Sequence, residues 1–243
     1  MLTARALTCE FIGTAFLLAT VVGSGILADK LDAGNVAIAV MAVAFATGLV
    51  LASLILAFGS ISSHFNPVVT LVSALRREFS WNMVPSYILA QIAGACAGVI
   101  LANLMFELPA VAISQHVRSG VGQWLGEFIA TFGLIGIITG TSKNKPETTP
   151  FAVGAYVAGA IWFTSSTCFA NPAVTVARIL TDTLTGIRMA DVLAFVAVQV
   201  VSGICAMLFF NWLFASKSIS ASSRSWQKDD AAENERLPVE AGR

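Results

Sequence analysis

The chain has 243 residues, is 56% hydrophobic, only 12% charged, and carries a formal net charge of zero. A soluble domain holds about 25% charged residues, so the composition excludes an ordinary water-soluble globule. The neutral balance gives nucleic acid no electrostatic reason to bind.

Six stretches are long enough to cross a hydrocarbon core of about 30 Å as helices of about 20 residues. The first, 6–28, follows Arg5 and has the outline of a secretory leader. Glu10 interrupts its start, and the same pattern returns at 124–142, so it reads as a retained helix. The second span is 36–58 and the third is 83–106. Between them lies "SSHFNPVVT" (62–70), after which Pro67 to Leu75 offers only about nine apolar or small residues, roughly 14 Å of helix or half a bilayer. Such a segment predicts a re-entrant half-helix, tolerated at that depth only where it lines a water-filled path. The fourth and fifth spans are 121–141 and 150–167. "TCFANPAVT" (167–175) then opens a second short segment, Pro172 to Leu180, before the sixth span at 190–214. Residues 216–243 hold five acids and five bases with almost no apolar clusters, and read as a disordered cytoplasmic tail.

The chain repeats itself. E-F-I-x-T begins at Glu10 and again at Glu127, N-P-x-V-T at Asn66 and Asn171, and a Gln leading a run of small residues stands at Gln91 and Gln199. Three landmarks in one order define a duplicated unit of about 110 residues. Each unit holds three spans, an odd number, so the second copy must be turned over relative to the first. The domains expected are 1–110 as the first inverted half, 111–215 as the second, and 216–243 as the tail. With both ends on one side, Arg5, Arg76, Arg77, Lys143, Lys145 and Lys217 fall together, opposite Lys30, Arg118, Arg178 and Arg188. The larger set marks the cytoplasm, which puts both termini inside.

Asn is a preferred N-cap and Pro is favoured at the first helical position. Asn66 and Asn171 should therefore start their half-helices near the midplane, each spending its side-chain oxygen on backbone N–H groups and holding its NH2 outward as an oriented donor. Two such donors, with two positive dipole ends behind them, donate to the oxygen of a passing water or hydroxyl and repel cations. The four cysteines, Cys9, Cys96, Cys168 and Cys205, show neither metal-ligand nor disulfide spacing and read as small buried hydrophobes. There is no HExxH and no metal cluster, so neither an enzyme nor a metal or other cofactor is expected.

The paired Asn-Pro boxes (Asn66-Pro67-Val68 and Asn171-Pro172-Ala173), the Glu-x-x-x-Thr near the start of each half, and His64 before the first box resemble the aquaporin or major intrinsic protein family over about residues 5–215. The resemblance implies an all-α membrane protein of six transmembrane helices plus two re-entrant half-helices, multi-pass in the cell membrane. It implies one pore per subunit in a homotetramer, surrounded by lipid, passing water or small neutral solutes without a cofactor. It makes Glu10 and Glu127 buried acceptors for the re-entrant loops rather than ion-coupling groups, and His64 a hydrogen-bonding residue beside the pore.

Two departures stand out. The first box has Val68 where the family usually has Ala. The position after the second box, usually the Arg of the outer constriction, is Val174, and the next base, Arg178, reads as a surface or headgroup contact. Aligned by resemblance, the constriction is Thr47, Gly159, Cys168 and Val174, with no charge, aromatic or His. That is wider and more apolar than in water- or glycerol-selective members. Bacterial relatives lacking the Arg include aquaglyceroporins linked to arsenic resistance, so the expected solutes are glycerol-like polyols, trivalent arsenicals and water. The alternatives are a coupled secondary transporter, which inverted repeats also build, and a water-selective channel.

Overall fold

The computed structural model describes residues 2–215. The expected tail at 216–243 lies outside them. Every regular element among the described residues is helical. In chain order they are α1 (Leu2–Leu31), α2 (Val36–Phe58), α3 (Pro67–Leu75), α4 (Val84–Met105), α5 (Val121–Asn144), α6 (Thr149–Phe163), α7 (Pro172–Ala177) and α8 (Met189–Leu213).

Five of these helices, among the described residues, are long and apolar enough to cross a membrane. The fifth expected span is shorter than its apolar run. α6 has 15 residues, roughly 22 Å of helix, and the chain leaves helical geometry at Thr164 (φ −98, ψ 142). Residues 164–170 belong instead to the loop that re-enters toward α7. The second short segment, expected as one half-helix, is α-helical over Pro172–Ala177 and tightens to a 3-10 turn over Arg178–Leu180.

The helices pack by small residues. α1 lies along α4 and α2 along α6. A Cβ on Gly94 or Gly98 of α4 would run into the carbonyls of Phe11 and Ala15 on α1. The i, i+4 glycine pair is what lets these backbones touch, as expected where lipid rather than water surrounds a bundle. The packing of each half-helix is crossed between the halves: α7 contacts α4, while Val68 of α3 meets Gly203 of α8. A Cβ on Gly203 would overlap Val68 Cγ1, so the extra bulk of the first box is taken up on α8. Val68 is 1% exposed.

Candidate functional site

α3 and α7 meet at their N-termini. Asn66 (φ −155, ψ 121) caps α3, its Oδ1 accepting from Val68 N at 2.9 Å. Asn171 (φ −159, ψ 114) caps α7, accepting from Ala173 N at 2.9 Å and Val174 N at 3.3 Å. Pro67 and Pro172 follow in the first turns. The amide nitrogens cross the seam. Asn66 Nδ2 donates to the Ala170 carbonyl at 2.8 Å, and Asn171 Nδ2 to the Phe65 carbonyl at 2.7 Å. An amide NH2 carries two protons. One from each Asn thus ties the two halves together, where the sequence assigns the whole group to the pore, and the second has no protein acceptor among the described residues.

The loops before the caps are held open by the two acids. Phe65, Thr167, Cys168 and Ala170 all take positive φ (50, 58, 51 and 45), a conformation costing about 1–3 kcal/mol per residue that persists only where the surroundings over-determine it. Those surroundings are Glu10 and Glu127, both fully buried. Glu10 accepts from His64 N (2.8 Å), Phe65 N (2.7 Å), Ser62 Oγ (2.6 Å) and Gln91 Nε2 (2.8 Å). Glu127 accepts from Phe169 N and Ala170 N, both at 2.8 Å, and from Gln199 Nε2 at 2.5 Å. Each glutamine also donates to the box threonine of its half: Gln91 to Thr70 and Gln199 to Thr175, both at 2.9 Å. The three repeated sequence landmarks are therefore one hydrogen-bonded cluster, built twice. His64 joins the first copy through Nδ1 and Thr70 Oγ1 at 3.1 Å.

A cavity of about 370 Å³ passes both asparagines. Its lining reaches from Ser73, Glu78 and Ser142 at one end to Arg118, Leu184 and Thr185 at the other. Ser142 and Arg118 lie by opposite ends of α5, so the cavity follows the length of the bundle. Thr47, Cys168 and Val174 line it. Thr47 Oγ1 is buried without a protein partner among the described residues.

Gly159 is a correction. It sits exposed on the far side of α6, where a Cβ would meet nothing within 4 Å. The α6 face toward the cavity is Val153, Val157 and Ile161, at i, i+4 and i+8. Alignment by resemblance picks the wrong face of the helix.

Arg178 is a second correction. It is 4% exposed, donates through Nε to the Thr185 carbonyl, and holds its guanidinium 3.4 Å from the Phe169 ring centroid. Arg118 stands 4.9 Å from the same ring. Its side chain donates to the carbonyls of Gly186 (2.7 Å), Leu184 (3.0 Å) and Ser166 (3.3 Å), and to Thr167 Oγ1 at 3.4 Å. Burial pushes the Arg118 guanidinium down to about 10, with Glu127 opposing the shift, so it stays charged at neutral pH. Both arginines line the cavity. One sequence signal pointed there: Arg178 follows Val174 by four residues, hence on the same helical face.

The position of Cys168 makes a test of the lining. Treatment with a membrane-permeant mercurial should block flux, because a metal on a thiol of the cavity lining obstructs the path, and Cys168→Ser should relieve the block. Cys205 is exposed and serves as the internal control. Block that persists in the serine variant would move the reactive thiol elsewhere.

The family model described as "Major intrinsic protein" matches residues 1–168. The chain is 45% identical over 210 residues to "Aquaglyceroporin AqpS" of Rhizobium meliloti (strain 1021), covering 86% of this chain and 90% of that protein. It is 32% identical over 160 residues to "Aquaporin NIP3-1" of Oryza sativa subsp. japonica, covering 63% of this chain and 50% of the plant protein. The fold is similar to the "aquaglyceroporin from Plasmodium falciparum", seen by X-ray, with a TM-score of 0.64 at 20% identity, covering 90% of this chain and 97% of the other.

Proposed function

Because the chain belongs to the major intrinsic protein family and is thus a multi-pass membrane protein forming a passive channel for small solutes, we propose that its solutes are glycerol-like polyols and trivalent arsenicals as well as water. The observation that carries this reading is Val174: it lines the cavity directly after the second box, where the resemblance would place an Arg. With Thr47, Cys168, Val157 and Ile161 it makes a wall of short and apolar side chains. A wall of this kind leaves room for a solute bulkier than water. Neutral arsenous acid, with three hydroxyls, resembles a small polyol in shape and hydrogen bonding.

The Asn66 and Asn171 boxes, with Pro67, Val68, Pro172 and Ala173, are the polar midpoint of this path, and Glu10 and Glu127 its supports. A coupled transporter would need an acid free to exchange an ion. Both acids are occupied by loop N–H groups and a glutamine, which weighs against that mechanism. The subunits assemble as a homotetramer with both termini in the cytoplasm, so Arg118 and Arg178 mark the outer end of the pore.

Val174→Arg tests the solute range. Arg is longer than Val and carries a planar fork of five donors, which would fill space beside Cys168. The expected result is a fall in permeability to arsenous acid and glycerol relative to water. Adding Thr47→Phe, which supplies a bulky opposite wall, should deepen it. The measurement is light scattering from proteoliposomes, normalised to inserted protein. Variants that keep the parent's ratio of large-solute to water flux would remove Val174 from the constriction and end the substrate argument, while leaving the channel itself standing.

A further inference from the structure

Val174 leaves the wall after the second box uncharged, yet two guanidiniums from elsewhere in the chain close over the same end of the cavity. They are not equivalent. Arg118 is committed to the protein, with donors on three backbone carbonyls and Thr167. Its loop is itself pinned: Ala112 N and Ser114 N donate to the Leu180 and Ile179 carbonyls at 3.0 and 2.9 Å, and Arg118 N to Asp191 Oδ2 at 2.8 Å. Arg178 is the more buried of the two, and among the described residues the Nε bond to Thr185 is the one protein hydrogen bond of its side chain. Its terminal amino groups have no protein acceptor among the described residues, and they are not sealed from the cavity that Arg178 lines.

A largely buried cation whose remaining donors meet only the cavity favours whatever oxygens the cavity brings to them. The ring of Phe169 offsets part of the cost of burial and fixes the plane of the guanidinium. What remains is a planar fork of N–H groups beside a solute path, which adjacent oxygens on one molecule can satisfy together.

We propose that Arg178, braced by Phe169 and Arg118, forms a solute-selecting subsite at this end of the pore, taking the hydroxyl oxygens of polyol-class solutes. The subsite rests on the channel reading and adds to it the residue that chooses among solutes. Arg178 binds; Arg118 positions, by fixing the loop carbonyls around Thr167 and standing over the same ring. A charge-bearing cation meets two like charges there and is turned away before it reaches Asn66 and Asn171.

The experiment compares glycerol with 1,2-propanediol, which lacks one hydroxyl, by light scattering from proteoliposomes of the full chain, after subtracting protein-free vesicles. The parent should favour glycerol. Arg178→Met should lower the glycerol-to-propanediol ratio by about ten-fold, the lower range expected for losing a hydrogen bond to a charged group. Arg178→Lys keeps the charge without the fork and should fall between. An unchanged ratio in an inserted Arg178→Met overturns the subsite. Should that variant fail to insert, Arg178→Lys decides on the same ratio, and no change there overturns it equally. A parent that passes neither solute faster than empty vesicles would sink the channel reading itself; a conducting parent with insensitive variants sinks only the subsite.

Discussion

Glu127→Gln should abolish most solute flux and lower the yield of folded protein, although it changes one atom. Both carboxyl oxygens of Glu127 accept from N–H donors: Oε1 from Phe169, Oε2 from Ala170 and Gln199. An amide has one acceptor oxygen. However it turns, its NH2 must face an N–H, leaving at least one buried donor unmet at roughly 1–3 kcal/mol. The loss falls on a loop that already stores strain at Thr167, Cys168 and Ala170. Ala170 is also where Asn66 crosses the seam. A loop that relaxes there lets go of the opposite half, so the damage should reach beyond its own helix. The expected readouts are a thermal midpoint lowered in detergent and solute permeability per inserted protein reduced by about ten-fold or more, equivalent to 1.4 kcal/mol or more of lost organisation. Glu10→Gln should cost about as much, because each oxygen of Glu10 also accepts a backbone N–H, Oε1 from His64 and Oε2 from Phe65, and of its four donors the Ser62 hydroxyl alone can turn and accept instead. Equal and small effects from both variants would mean that the loops hold their shape without the acids.

The parts legible in the sequence were those in which a single residue type carries a role wherever it falls. Asn before Pro starts a helix by its own chemistry, and Glu10, Gln91 and Thr70 stand in one order with Glu127, Gln199 and Thr175 because the same cluster is built twice. The rest depended on geometry that spacing does not encode. Gly159 comes from aligning the chain with the family resemblance. Such an alignment does not fix the rotation of a helix that ends at Phe163 and is followed by left-handed residues at Thr167, Cys168 and Ala170, and Gly159 falls on the outer face of α6. Arg118 has no counterpart in the repeat at all. It reaches the cavity only because the loop before α5 pairs with the segment after α7. Arg178 was legible in part, since its four-residue spacing from Val174 placed it on the pore face. Its charge argued for the surface and concealed that Phe169 and Thr185 make a place for it inside.

Asn171→Asp should stop neutral-solute flux while leaving the helix start intact. Aspartate is as good an N-cap as asparagine, so the donors at Ala173 and Val174 keep an acceptor. What changes is the other arm of the side chain. Nδ2 now donates across the seam to the Phe65 carbonyl at 2.7 Å; an oxygen at that distance would set acceptor against acceptor. The second amide proton, the one with no protein acceptor among the described residues, is lost as well. A negative charge would also stand where two helix N-termini present positive ends, reversing the field that favours a solute's oxygen. The seam must open or the charge must be neutralised, and neither restores the pair of donors. Asn66→Asp meets the same conflict with the Ala170 carbonyl at 2.8 Å. Asn171→Ser separates the causes, because serine also caps a helix but brings neither the NH2 nor a charge. Permeability should fall in both, and further in aspartate, if the field adds to the lost donor. The measurement is glycerol and water flux in proteoliposomes at matched insertion. Conductance equal to the parent in both Asn171→Asp and Asn66→Asp would refute the two-donor account of the midpoint.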